Sequence, residues 1–198
     1  MKLLKRFFGS FSNNRSIADP TGRITLGNPL VIKTPRIGFL NLMGSSAETI
    51  LNQDKAVLSP FFSSTVLRED KPPLCDVLLI YGHLESNGRF TDDSDGLREI
   101  IRESTAPIVI VASENTGDSY IAAGKHTGYG LANLVMTLAR KEQIFTSFFS
   151  KLFEKMFNGK SMPIAWVELA PQIPGDPHDN CPETIFAAEI SHILFKRA

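Results

Sequence analysis

The sequence predicts an α/β fold: a three-layer sandwich around a mostly parallel central sheet, caspase-like or flavodoxin-like in arrangement. Three observations predict it. Two strand-sized runs, Asp76–Tyr81 (apolar from Val77 on) and Ile108–Val111, carry apolar residues without alternation, as strands covered on both faces do. Amphipathic helical patterns lie between runs of this kind, and strand–helix alternation builds a parallel sheet with right-handed crossovers. Both runs end in polar residues, Gly82-His83 and Ser113-Glu114-Asn115, and ligands bind at the carboxyl edge of open α/β sheets.

The elements follow in order. Residues 9–23 are rich in Ser, Asn and Gly and read as loop, so the division is a flexible basic N-terminal segment, 1–23, and a single α/β domain, 24–198. A chain of 198 residues is long enough for one self-sufficient core. Thr25-Leu26 and Leu30–Ile32 flank Gly27-Asn28-Pro29, which predicts a short hairpin. Arg36–Leu42 is the first core strand. Ser45 or Ser46 caps a helix that starts near Ala47-Glu48 and stops before Pro60. Ser64–Leu67 is a short strand, and Lys71–Pro73 leads into the strand that ends at Tyr81. Gly82–Asp92 is loop. Asp93 or Ser94 caps the helix Asp95–Glu103, with Leu97, Ile100 and Ile101 as its apolar stripe.

After the strand Ile108–Val111, Gly117–Gly130 reads as a long loop. Leu131, Leu134, Val135 and Leu138 stand at helical spacing and predict a helix over Leu131–Arg140. Glu142–Phe157 continues helical, with five of the chain's 14 Phe on a broad stripe, and Gly159 ends it. That stripe is core or an oligomer surface. Ile164–Leu169 reads as a final strand, Pro171–Pro182 as loop and Glu183–Phe195 as a closing helix.

Bulk properties exclude more than they select. The net charge is zero, and basic residues do not interleave with aromatic ones, so nothing supports nucleic-acid binding. The charge is uneven: residues 1–36 carry seven Lys/Arg against one Asp, a basic head on an acidic body. Two cysteines, Cys75 and Cys181, make no disulfide framework, and a reduced, cytoplasmic setting is expected. No apolar run reaches membrane-spanning length. Met1–Phe8 is basic, but Gly9–Asn14 interrupts it too soon for a signal peptide. Two turns of helix there leave only a weak peripheral membrane contact through residues 1–8.

The candidate chemistry gathers at the predicted sheet edge. His83 has the residue type of a general base near neutral pH; it equally suits a loop histidine bonded to a backbone carbonyl. Glu85 lies within reach to orient that imidazole, or is solvated. Adjacent strands would bring Ser113 close to His83, a nucleophile–base pair, although no G-x-S-x-G elbow surrounds it. Ser113 or Asn115 would otherwise cap a helix or position a ligand, with Glu114 beside them. Met43–Glu48 could cradle an anion through Ser45 and Ser46 or be a plain strand–helix turn, since it is no Walker A. Gly124–Gly130 brings Lys125 and His126 on a lid over the same edge or on an ordinary surface loop. The Asp176, His178, Asp179, Cys181 and Glu183 set lacks zinc-finger or EF-hand spacing, so no metal and no cofactor is expected.

Ile80-Tyr-Gly-His83 and Val111-Ala-Ser-Glu-Asn-Thr-Gly117 together resemble the caspase-like CHAT group of clan CD cysteine peptidases, in which a strand ending in Gly-His precedes one ending in the catalytic Cys. Phe148-Phe149, Leu152 and Gly159–Ser161 resemble that group's late helix and glycine. Leu84 replaces the usual second Gly, and Ser113 stands where the Cys would be. The resemblance implies a serine variant or a catalytically dead relative. Ile37–Met43 followed by Ala47–Thr49 is similar to the opening of homoserine acyltransferases and class I glutamine-amidotransferase-like proteins, whose nucleophilic Cys is again missing. The resulting expectation is a non-catalytic or degenerate CHAT-like module that binds a small molecule or protein partner at the carboxyl edge of its sheet. Two alternatives stand beside it: a hydrolase or acyl-transfer enzyme with His83 as base and Ser113 as nucleophile, and an oligomerising scaffold, a homo-oligomer built on the Phe-rich helix 142–157.

Overall fold

The structure, a computed structural model, describes residues 29–90, 95–124, 132–170, 181–190 and 192–197. The strands are β1 (Leu30–Lys33), β2 (Arg36–Asn41), β3 (Ser64–Arg68), β4 (Val77–Tyr81), β5 (Ile108–Val111), β6 (Asn133–Ala139), β7 (Glu183–Ala187) and β8 (Ile193–Lys196). The helices are α1 (Glu48–Leu58), α2 (Leu97–Ser104), α3 (Gly117–Gly124), α4 (Glu142–Phe157) and α5 (Met162–Leu169).

Six strands form the central sheet in the order β3-β2-β4-β5-β6-β7. The first five are mutually parallel and β7 runs antiparallel against β6. Numbered from β2, the parallel strands follow the 2-1-3-4-5 order of doubly wound sheets, whose switch point here lies between β2 and β4. Both faces are covered. On one, Phe39, Leu79 and Ile110 pack beneath α1, α4 and α5; on the other, Leu78, Ile80 and Val109 pack beneath α2 and α3. The α/β sandwich predicted from the sequence is therefore the observed architecture, and β4 and β5 are apolar at every position because neither face meets water.

Four predicted elements differ from those observed. Leu131–Arg140 contains β6 rather than a helix: Leu134 and Met136 face one layer and Val135 the other, and a run buried on both faces carries apolar residues at every spacing, helical ones included. Ile164–Leu169 belongs to helix α5, which Ser161 precedes and Pro163 enters in its first turn, a position that suits proline. Glu183–Phe195 holds β7 and β8 instead of a helix; Thr184, Ile185 and Phe186 are β-branched or aromatic, and they line an edge strand. Gly117–Gly124 is helix α3, not loop.

Two smaller differences lie earlier in the chain. β1 pairs in parallel with β8 as a separate two-stranded sheet; residues 25–28 of the expected hairpin lie outside the described residues, as do the proposed caps Asp93 and Ser94. Neither Ser45 nor Ser46 caps α1. A 3-10 turn over Gly44–Ala47 precedes that helix, and the Ser46 hydroxyl donates to the Met43 carbonyl at 2.6 Å.

The Phe-rich stripe of α4 faces the core. Phe145, Phe148, Phe149 and Phe153 are buried, and Phe149 meets Phe148 edge-to-face with centroids 5.4 Å apart and Trp166 at 6.2 Å. Phe149→Ala should therefore lower stability by about 3–5 kcal/mol in urea denaturation; a loss below about 1 kcal/mol would place the ring outside the core.

Candidate functional site

The chemistry of the chain converges where β2, β4, β5 and β6 end. A cleft of about 300 Å³ opens there. Met43, Ser46 and Ala47 line it from the β2–α1 connection, Ile50 from the first turn of α1, Tyr81 and His83 from the end of β4, Ala112–Glu114 from the end of β5, and Arg140 and Glu142 from the β6–α4 junction. Because β4 and β5 are neighbours in register, with Ile80 opposite Val111, His83 and Ser113 share this rim as the sequence predicts.

Ser113 is held by the backbone. Its hydroxyl accepts from the Gly82 N–H at 2.9 Å and donates to the Gly82 carbonyl, so its single proton is already committed. Asn115 completes the strap. Its Oδ1 accepts from the Leu84 N–H at 2.6 Å, and its amide group donates to the Gly82 carbonyl and to Ser113 O. The two side chains thus tie the β4 and β5 segments together beyond the strand ends, as far as Leu84 and Asn115. Gly82 has its own reason: a Cβ there would lie 2.5 Å from Cδ1 of Phe90, whose ring covers the position. Gly82 is a packing glycine, set by the small antiparallel bridge that pairs Leu84 with Phe90.

The remaining predicted residues separate. His83 is exposed on the cleft rim. Glu85 stands in the turn that follows, exposed, with its carboxylate accepting from Asn87 Nδ2 at 3.2 Å; it does not line the cleft. Glu114 is exposed on the rim, with one carboxylate oxygen accepting from the Arg140 N–H at 2.5 Å. Ser45 is exposed outside the cleft, whereas Ser46 lines it. Lys125 and His126 lie outside the described residues, as do residues 1–28 with their basic charges. Cys75 is at the opposite, amino-terminal end of β4, with Sγ against Gly38. Burial there pushes its thiol up to about 12, far from the thiolate a nucleophile needs. Among the described residues no group of three His, Cys, Asp or Glu could hold a metal ion, and no helix is long and apolar enough to cross a membrane.

A buried ionic group lies beneath the cleft. Arg140 Nη2 donates to Asp54 Oδ1 at 2.6 Å, with the two side chains 4% and 0% exposed. The Tyr81 hydroxyl donates to the other Asp54 oxygen at 2.6 Å. Arg140 Nη1 donates to the Ala112 carbonyl at 2.8 Å, and the guanidinium lies 3.9 Å from the centroid of the Phe145 ring. Its Nε–H, also buried, has no acceptor among the described residues. Burial pushes the Asp54 carboxyl above its ordinary value of 3.8, against the pull of Arg140 and the Tyr81 hydroxyl, and the Glu142 charge adds to the rise. Burial, then the Asp54 charge, holds the Tyr81 phenol well above 10.0.

Asp54, Tyr81, Arg140 and Glu142 are site residues that the sequence reading misses, and Asp54 and Arg140 each leave a trace. Asp54 interrupts the apolar stripe of α1 between buried Leu51 and Leu58. Arg140 directly follows the apolar run of β6, but the helical reading of that run hides it. No protein-family model matches the chain, and no curated protein matches it in sequence.

Two expectations follow. Removing Arg140 alone strands a buried carboxylate, so Arg140→Met should cost about 3–5 kcal/mol near neutral pH. The double variant Asp54→Leu/Arg140→Met should recover most of that in the same denaturation assay. The sign with pH is fixed: a carboxyl whose pKa rises on folding contributes stability that is complete below 3.8 and lost as pH climbs through the raised value. The deficit of Arg140→Met should therefore shrink on acidification. Separately, Asn115→Ala leaves the buried Leu84 N–H without its acceptor and should cost about 1–3 kcal/mol, with faster hydrogen exchange at Leu84 than at Val109.

Proposed function

We propose that this chain is a non-catalytic α/β module that binds a small molecule or a partner's side chain in the cleft at the carboxyl edge of its sheet. The observation that carries the reading is the state of Ser113: both functions of its hydroxyl are bonded to the Gly82 backbone. A nucleophile must hand its proton to a base, and this hydroxyl gives it to a carbonyl instead. The cleft has the position of a ligand site in a doubly wound sheet, beside the strand-order switch, and the mixed apolar and polar lining that such sites carry.

The resemblance to the CHAT group supports the same reading. Ser113 stands at the position of that group's cysteine, and Cys75, with its raised thiol, is at the far end of β4. A degenerate relative, with the architecture kept and the nucleophile lost, is the form of that resemblance the residues favour. Burial of the α4 stripe favours the cleft over the Phe-rich helix as the interaction surface.

The hydrolase reading has one observation on its side, the presence of His83 and Ser113 on a common rim. A serine-directed fluorophosphonate probe distinguishes the two. The wild type should remain unlabelled at Ser113 under conditions that label a serine hydrolase to completion. Labelling that disappears in Ser113→Ala would replace the binding module with an enzyme.

A further inference from the structure

The two-stranded sheet of β1 and β8 turns one face to the core and the other outward. Ile32 and Phe195, opposite each other, are buried in the core beside α4. The alternate pairs point away from it: Val31 opposite Leu194, then Lys33 opposite Lys196. Val31, Lys33 and Lys196 are exposed and Leu194 is half-buried. Like charges placed directly opposite on neighbouring strands repel, yet neither lysine forms an ion pair among the described residues. Arg197, exposed beside them, lays its guanidinium 5.2 Å from the centroid of the Phe157 ring. Neither strand contains an Asp or Glu. The outer face is therefore a short apolar strip that runs into a cluster of three cations.

The sequence that leads into β1 carries the same combination. Leu3, Leu4, Phe7, Phe8 and Phe11 recur at the spacing of one helical face, with Lys2, Lys5 and Arg6 among them. Residues 12–29 connect this stripe to β1 and span at most about 60 Å when extended, so the stripe and the β1–β8 face can meet one surface. Basic side chains beside Leu, Val and Phe match the headgroup boundary of an anionic bilayer, where headgroup phosphates and carboxylates take the cations and acyl chains take the apolar groups. Nucleic acid would answer the cations and leave the Leu and Phe side chains in water.

We infer that this chain docks on anionic membrane surfaces through two linked contacts, the stripe at residues 2–11 and the outer face of β1–β8. Neither suffices alone, since lasting peripheral anchoring takes two signals, and the connecting residues make the second contact intramolecular. The docked orientation follows from the fold. The Thr34 N–H donates to the Lys196 carbonyl, and Ser63, which leads into β3, donates to the Thr34 carbonyl. The basic pair thus lies where β2 and β3 begin, at the amino edge of the central sheet. The cleft opens at the carboxyl edge and stays clear of the bilayer.

The test is cosedimentation of the full chain with vesicles of phosphatidylcholine alone and of phosphatidylcholine with about three-tenths phosphatidylserine. The wild type should bind the anionic vesicles about tenfold or more tightly than the neutral ones and lose that preference in high salt. Lys33→Gln/Lys196→Gln, which removes two exposed and mutually repelling charges and is expected to fold, should weaken binding to the anionic vesicles about tenfold. Phe7→Ser/Phe8→Ser should weaken it about tenfold or more through the lost apolar contact. Equal binding to both kinds of vesicle, or to neither, overturns the inference, as does full affinity in either double variant. A DNA duplex that displaces the chain from the vesicles at equal phosphate concentration would make the basic face a nucleic-acid surface and overturn it too.

Discussion

A guanidinium with almost none of its side chain exposed must be answered where it lies, and much of this structure follows from how Arg140 is answered. Asp54 reaches it from α1, the Ala112 carbonyl from the end of β5, and Phe145 from α4. One cation thereby ties together a helix, a strand end and the start of the next helix. Tyr81 joins from β4 through the same carboxylate. Such a group is weak as a source of stability, because removing two ions from water costs about as much as their attraction returns. Its effect is geometric. It sets where the β6–α4 junction lies against the ends of β4 and β5, and so fixes the floor and one wall of the cleft.

The other wall is fixed by neutral hydrogen bonds. Strand pairing in register ends at Ile80 and Val111, and beyond that point the backbone of Gly82 and Leu84 would lack partners. Ser113 and Asn115 supply them. Polar residues at the end of a buried strand thus serve what buried backbone requires, and their presence is not by itself a sign of chemistry. Glu114 does the same beyond the end of β6, where one carboxylate oxygen accepts from the backbone N–H of Arg140. The Glu142 carboxylate makes no such bond among the described residues, and both side chains line the opening of the cleft.

How much of this is legible depends on the kind of signal. β2, β4, β5 and α4 are readable because unbroken apolar runs and a wide helical stripe arise almost only where an element is covered by the core. The meeting of His83 and Ser113 at one rim follows from adjacency of β4 and β5. The run at 131–140 is not readable: Leu134, Val135 and Leu138 satisfy a helix as well as they satisfy a strand covered on both sides, and only the sheet decides. Residues 183–195 mislead for the opposite reason, since β7 is an edge and β8 pairs with β1 across most of the chain, relations that no local pattern encodes. The same limit hides Arg140, whose partner Asp54 is 86 positions away. Ser113 is legible as a residue of the site but not in its role, because a hydroxyl that bonds backbone and one that attacks a carbonyl are written with the same letter.

The β1–β8 pair has a consequence for how the molecule comes together. Leu30–Lys33 and Ile193–Lys196 align residue for residue, and Phe195 inserts among Phe62, Phe153 and Phe157. That aromatic nest has no lid until the last described strand has been made. Synthesis must pass Lys196 before the face bearing α4 can shut, and contacts of such long sequence separation form slowly. A nascent chain that stalls short of Ile193 would carry an open greasy seam, a natural handle for chaperones and for quality control.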